Sequence, residues 1–565
     1  MNKLNRTFFH KFWAISQLYL CGNEKWGALS LLLSLIAINL VATHVNVISN
    51  TQQGNVISAL AAKDGDKFWA TTWNLFGLYL ILVIIWAAYN YIRKKLTLYW
   101  RRWLTNYFLS KYFRNRAFYE LSQYQSEIDN PDQRISEDIN KFADGFLSFF
   151  FDMLYTCLQV IAFSTVLWGI SPTLMIVLLI YVGSGTLITT WLFGRKLVQL
   201  NFEQEKKEAN FRFGLLRLRE NAESVAFYRG EAQELNQVKY LFNQVFINYK
   251  KILFWQELFL NAFVRLYQYI PWIIPAVIIA PIIFAGELEV GKLAESQGAF
   301  NQLFNAMYVI VRTFHELVGF AVGIERLYEF YNFLQQSNRG ITTGSIQDTT
   351  INTLEDSCFA FQNLKLYTPK YQRILLQDVS VNLQTGQGML IIGTSGCGKS
   401  SLLRAIAGLW NSGSGTIIRP RLDEILFLPQ RPYMVLGTLR KQLVYPLSQD
   451  TISEEELHKV LQQVNLPDLA LRFGGFDVEK DWADVLSLGE QQRVAFARLL
   501  IYKPKYAILD EATSALDIKN EENVYQHLLN TRTTFISVGH RPTLLQYHNL
   551  ILEILDAENW QIRKS

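Results

Sequence analysis

Long apolar runs interrupted by charged stretches fill the chain up to about residue 330, and beyond it the pattern is that of a soluble domain. Six runs are long enough to cross about 30 Å of hydrocarbon: roughly residues 26–47, 68–91, 146–170, 174–193, 264–284 and 300–322. The second is followed by Arg93, Lys94, Lys95, Arg101, Arg102, Lys111, Arg114 and Arg116, a marker of the inner side of a membrane. Between the first and second runs Lys63 and Lys67 are balanced by Asp64 and Asp66, so that loop faces out. Ser171-Pro172 reads as a tight hairpin, and the charged helical stretch 197–254 returns to the inside. Six spans put both ends inside, with two long inward excursions. Residues 1–22 mix aromatic and polar side chains over too short a length to span; they read as a helix lying in the interface, without a cleavable signal pattern.

Some polar groups fall inside these runs. Arg312, His315 and Glu316 in the sixth either line a substrate pathway or sit beyond the membrane surface. Asn39, His44, Asn46 and Asn50, in or near the first, pose the same choice between a site and simple helix glue. Pro271, Pro275 and Pro281 interrupt the fifth, and neighbouring helices must satisfy the carbonyls they free. Residues 335–352, rich in Ser, Asn, Gly and Thr, form a linker between a domain at 23–334 and a second at 353–565.

Composition adds exclusions. Half the 565 residues are hydrophobic and only 18% are charged, low for a soluble chain. A net charge of +5 without a basic, aromatic-laced patch argues against a nucleic-acid partner. Cys21, Cys157, Cys358 and Cys397 are scattered, as in a reducing interior without disulfides or zinc.

The second domain alternates strand-like and helical runs, an α/β pattern. Its organising stretch is Gly393-Thr394-Ser395-Gly396-Cys397-Gly398-Lys399-Ser400, a glycine loop between an apolar strand and a helix that begins with Ser401. Such a P-loop turns backbone N–H groups and a helix start toward phosphate oxygens. Lys399 is expected to reach the β- and γ-phosphates of ATP and the Ser400 hydroxyl to ligate Mg²⁺. Further pieces follow in order: a strand ending at Gln430; Leu486-Ser487-Leu488-Gly489-Glu490 at a helix start; a strand ending in Asp510-Glu511; Ser514-Ala515-Leu516-Asp517; and a strand ending before His540.

Six ordered pieces resemble the nucleotide-binding domain of ABC transporters: Walker A, Q-loop, signature, Walker B, D-loop and switch histidine. The signature departs from the commoner Leu-Ser-Gly-Gly-Gln but keeps its serine and second glycine. The resemblance implies ATP with Mg²⁺ held by Ser400, Gln430 and Asp510. It implies Glu511 as general base on the attacking water, with Gln430 and His540 sensing metal, water and γ-phosphate. Ser487, Leu488, Gly489 and Glu490 then face the nucleotide of an opposite subunit, and Tyr367, 26 residues before Gly393, stacks on adenine or is simply a packed strand-end aromatic. One P-loop and one signature per chain imply a homodimer.

Other stretches narrow the resemblance. Asn130 to Asp138, Phe211 to Glu231, Gln430 to Arg440, and the flanks of the first outer loop are similar to ABC subfamily D. That group includes peroxisomal acyl-CoA transporters, a lysosomal cobalamin transporter and BacA/SbmA-like peptide and cobalamin importers. It implies a six-span α-helical type-1 (exporter-type) transmembrane domain followed by the α/β P-loop domain. Asp132, Gln133 and Arg134, and Glu223, Phe227 and Tyr228, are expected at the tips of the two excursions, either coupling ATP use to the spans or forming solvated charged helices. The expected function is ATP-driven movement of a large polar or amphipathic solute, leaning to cobalamin- or peptide-type uptake through a bacterial inner membrane. The alternative is a fatty-acyl, lipid or drug exporter on the same scaffold; fused spans argue heavily against a soluble ATPase acting on nucleic acid or ribosomes.

Overall fold

The computed structural model describes residues 6–22, 24–123, 128, 130–312, 314–337, 351–368, 373–447 and 452–564. The chain divides into two units, Met1–Ile341 and Thr342–Ser565.

The first unit is helical: α1 (Arg6–Leu20), α2 (Lys25–Ala61), α3 (Gly65–Phe113), α4 (Ala117–Gln123), α5 (Pro131–Gln133), α6 (Ile139–Ile170), α7 (Pro172–Ile188), α8 (Arg195–Glu220), α9 (Ala222–Tyr228), α10 (Glu231–Leu253), α11 (Asn261–Phe284), α12 (Gly291–Arg312) and α13 (Phe314–Ser337). Among the described residues four helical stretches are long and apolar enough to cross a membrane: Lys25–Ala61, Gly65–Ser122, Pro131–Ile170 and Glu231–Phe284. Pro172–Gly185 is a shorter apolar helix. The side chains of Arg312, His315 and Glu316, and linker residues 338–350, lie outside the described residues.

The second apolar run and the basic segment after it form one helix, α3, of 49 residues. No proline or glycine falls where the run turns basic, so nothing breaks it there. The hairpin at Ser171 forms as expected: α6 ends at Ile170, and Pro172 opens α7 at the position where its missing N–H costs nothing. Asn46 and Asn50 act as interhelical glue. Asn46 donates to Tyr155 Oη (3.0 Å) and Asn50 to the Glu295 carbonyl on α12 (2.9 Å), whereas Asn39 bonds its own helix at Leu35 (3.1 Å). α1 packs by Tyr19 stacked on Trp100 (5.5 Å) and by Lys11 paired with Glu325 (2.5 Å).

The two expected tips differ. α9 joins the long helices α8 and α10, and Phe227 and Tyr228 on it are 79% and 87% exposed. In the stretch around Arg134 the side chains divide between surface and interior. Asp132 is exposed, but Arg134 is 2% exposed and its guanidinium donates to the Arg326 carbonyl on α13. Nearby, Arg326 Nη2 donates to Gln133 (3.4 Å) and Arg326 Nε lies 3.5 Å from the buried Asp138 carboxylate. A guanidinium buried among carbonyls and carboxylates is fixed in place, because leaving it unpaired costs several kcal/mol.

Among its described residues the second unit holds twelve strands: β1 (Asn352–Glu355), β2 (Phe359–Tyr367), β3 (Ile374–Leu383), β4 (Gly388–Gly393), β5 (Gly413–Arg419), β6 (Ile425–Leu428), β7 (Gly437–Thr438), β8 (Glu479–Lys480), β9 (Tyr506–Asp510), β10 (Thr534–Val538), β11 (Leu550–Ile554) and β12 (Trp560–Lys564). Its helices are α14 (Lys399–Ile406), α15 (Leu439–Val444), α16 (Glu454–Gln463), α17 (Leu469–Phe473), α18 (Trp482–Val485), α19 (Leu488–Tyr502) and α20 (Ile518–Asn530). A six-stranded sheet runs β12-β11-β4-β10-β9-β6, parallel except for β12. A four-stranded sheet runs β1-β5-β2-β3. β10 is buried along its whole length, its polar Thr534 and Ser537 included, as in a strand covered on both faces.

Candidate active site

Four neighbouring parallel strands, β4, β10, β9 and β6, end on one edge of the large sheet. Each delivers a loop there, the edge where ligands of open α/β sheets bind. β4 delivers the glycine loop. A Cβ on Gly393 would stand 2.4 Å from the Ile554 carbonyl oxygen of β11, so only glycine lets the loop leave the sheet here. Gly398, at φ +102°, turns the chain left-handed to start α14. Lys399 is buried, and its Nζ donates to the Gly393 and Thr394 carbonyls, both at 2.9 Å. Two of its three protons therefore brace the loop, while the first N–H groups of α14 face outward from the helix start.

β9 delivers Asp510 and Glu511. Burial, and then the Glu511 charge, raise the Asp510 carboxyl above its ordinary value against Arg404, the Ser400 hydroxyl bonded to it, and Lys399. Glu511 adopts φ +48°, a left-handed conformation costing a non-glycine residue about 1–2 kcal/mol. Its N–H donates to the Val538 carbonyl of β10 (3.0 Å), which over-determines the conformation. The result aims the carboxylate between two neighbours. Gln430, two residues past β6, donates to Oε2 at 2.7 Å, and His540, two residues past β10, stands 3.5 Å from Oε1. Gln430, Glu511 and His540 are thus brought together from three adjacent strands.

Ser400 and Asp510 bring a hydroxyl and a carboxylate together beside the loop, while the Gln430 amide is engaged by Glu511. Among the described residues no group of three or more His, Cys, Asp or Glu is disposed to hold a metal. One carboxylate and one hydroxyl suit a hard divalent cation that keeps waters and phosphate oxygens in its shell.

Ser487 caps α19. Its hydroxyl accepts from the Glu490 N–H (3.3 Å), while the Glu490 carboxylate accepts from the Ser487 N–H (2.9 Å) and hydroxyl (3.0 Å). Glu490 also pairs with Arg472 at 2.6 Å. The side chain of Glu490 therefore fixes the helix start, while Ser487 and Leu488 are exposed on it. Burial pushes the Glu490 carboxyl up, but Arg472 and Ser487 together hold it below its ordinary 4.5. A lowered folded value means stability that is whole above the unfolded pKa and lost as pH falls through the folded one. The gap in unfolding midpoint between the parent and Glu490→Gln is expected to be widest near neutrality and to close under acid titration. A gap indifferent to pH contradicts the charged cap.

Tyr367, at the end of β2, pairs in register with Ile374 of β3. The next residue, Leu375, has its Cβ 3.2 Å from where a Cβ on Gly398 would stand, so Tyr367 lies one strand from the glycine loop. Its backbone is tied down by Trp410 Nε1, which donates to its carbonyl (3.0 Å). Gln492 was not singled out from the sequence. It is fully buried in α19 one turn before the equally buried Phe496, so an amide on the apolar face was the available signal.

Residues 15–284 match the family model of the ABC transporter transmembrane region 2, and residues 376–514 match the ABC transporter model. An uncharacterized ABC transporter ATP-binding protein of Synechocystis sp. is 45% identical, over 95% of this chain and 81% of its own. ABC transporter D family member 2, chloroplastic, of Arabidopsis thaliana is 36% identical over 99% and 88%. The lysosomal cobalamin transporter ABCD4 of Homo sapiens is 33% identical over 82% and 81%.

Proposed function

The chain belongs to the ABC transporter family, among its subfamily D half-transporters, and hydrolyses ATP to drive transport across a membrane; on that premise we propose that two copies, each with six spans, close on two shared nucleotides. What carries this reading is the meeting of Gln430, Glu511 and His540 on the sheet edge that also bears the glycine loop. The loop N–H groups and Lys399 bind the phosphates, and Tyr367 stacks on adenine. Ser400, Asp510 and Gln430 would hold Mg²⁺, which would neutralise phosphate charge. Glu511 takes a proton from the attacking water, held in place by Gln430 and His540. Ser487, Leu488, Gly489 and Glu490 of one copy face the nucleotide of the other, so neither copy has a complete site alone. Closure reaches the spans through α9, whose Phe227 and Tyr228 form an exposed aromatic knob, and through Asp132 and Gln133; Arg134 passes it on inside the helical unit, to α13.

The transported solute is large and polar or amphipathic, of the cobalamin or peptide type, moving toward the ATPase side across a bacterial inner membrane. The human relative's name supports the solute class and the Synechocystis relative the membrane. The test is reconstitution in proteoliposomes with radiolabelled cobalamin, a peptide, a fatty acyl-CoA and a phospholipid. ATP-dependent uptake of the first or second is expected; flux that runs only outward and only for lipid refutes the solute and direction. The double variant Phe227→Ala/Tyr228→Ala is expected to keep hydrolysing ATP while flux falls roughly tenfold or more, within the range of a coupling free energy. Equal loss of both activities argues against α9 as the transmitter.

A further inference from the structure

Residues 512–517 connect the strand-end carboxylates to α20 and carry backbone groups that no strand ladder satisfies. They are held from two sides. On one, Gln492 Oε1 accepts from the Ala515 N–H (2.9 Å), and its Nε2 donates to Ser514 Oγ (3.1 Å) and to the Gln430 carbonyl (3.0 Å). On the other stands Arg541, the residue after His540. Its Nη1 donates to the Leu516 carbonyl (2.6 Å) and its Nη2 to the Ser514 carbonyl (2.9 Å). Behind it lies Glu521 of α20, 1% exposed, 3.3 Å from Nη1. Glu521 also accepts from Thr513 (3.0 Å) and from Thr543. A carboxylate so buried is tolerated only when fully partnered, and here every partner lies on, or is bonded to, the loop or the switch segment.

Each of the three groups that meet at the reaction centre is tied into this loop. Gln430 reaches it by its carbonyl on Gln492, Glu511 by its own carbonyl accepting from the Ser514 N–H (3.0 Å), and His540 by its bond to Arg541. We propose that Arg541, anchored by Glu521, is a positioning residue for ATP hydrolysis: it fixes loop 513–517 and through it the poses of Glu511 and His540. The inference rests on the roles given to those two residues above. Arginine suits the task because one planar fork serves two carbonyls and a carboxylate together. A lysine ammonium, a point charge on a flexible stem, does not keep that geometry.

The test uses the full-length chain in lipid nanodiscs. Arg541→Lys is expected to lower kcat roughly 10–100-fold, the scale of a small misplacement of reacting groups, with the ATP Kd and the unfolding midpoint unchanged. Glu521→Gln is expected to lower kcat less, also without touching ATP binding. The double variant is expected to lose no more than Arg541→Lys alone, because both act through one contact. Glu511→Gln, run alongside, tests the site reading by itself: if it hydrolyses normally, that reading fails. If it is dead while Arg541→Lys keeps parental kcat, the positioning role fails. A fall in midpoint and ATP affinity matching the fall in kcat makes Arg541 merely structural and overturns the proposal equally. Should Arg541→Lys not fold, Glu521→Gln decides the matter: a lower kcat at parental ATP affinity supports the positioning role, and parental kcat overturns it.

Discussion

Glu511→Gln is expected to bind ATP like the parent and to hydrolyse it roughly 10²–10⁴-fold more slowly, the usual worth of a positioned general base. Glutamine matches glutamate in size, so the left-handed backbone at 511 and its bond to Val538 have no reason to change. The contact with Gln430 at 2.7 Å also survives, since an amide oxygen accepts as a carboxylate oxygen does. What disappears is the basic oxygen beside His540. In the proposed dimer closure follows ATP binding, so the variant is expected to accumulate closed dimers that cannot reopen through hydrolysis. Phosphate release, equilibrium ATP binding and cross-linking between copies measure the three consequences separately. Parental phosphate release in this variant would take the base role away from Glu511.

Lys399→Met is expected to fail earlier, at binding. The ammonium is the one buried side-chain cation in the glycine loop, and a charged hydrogen bond to phosphate contributes about 2–3 kcal/mol, close to a hundredfold in Kd. Methionine keeps the apolar stem in place but drops both 2.9 Å bonds to the Gly393 and Thr394 carbonyls, so the loop loses its brace together with its charge. Titration with a fluorescent ATP analogue should show weak binding, whereas Glu511→Gln shows tight binding. Unchanged ATP affinity in Lys399→Met would remove the lysine from phosphate recognition.

What could be read from the sequence was what short spacing controls. The glycine loop, the paired acids of β9 and the histidine after β10 are each local patterns, and the parallel order of their strands carries them to one edge. The hairpin at Ser171-Pro172 was equally local. The burial of Arg134 could not be read because its environment is set by a helix nearly two hundred positions away, and neither coupling nor a solvated helix, the two readings of that stretch, points to that partner. The unbroken course of α3 was hidden by its change in character: the apolar run and the basic run look like two elements, but helix continuity depends on the absence of a breaker rather than on polarity. Arg541, Glu521 and Gln492 escaped for a third reason. Arg541 and Gln492 bond backbone carbonyls and an N–H, whose positions no residue pattern records, and Glu521 is defined only by the side chains that converge on it.

α3, at 1.5 Å per residue, is a rod about 74 Å long, more than twice the thickness of the hydrocarbon it is apolar enough to cross. An unkinked rod behaves as a crank: a tilt of about 10° sweeps one end past the other by roughly 13 Å. If α3 moves as one body in the proposed transport cycle, its length multiplies a small rotation into a displacement larger than any single side chain.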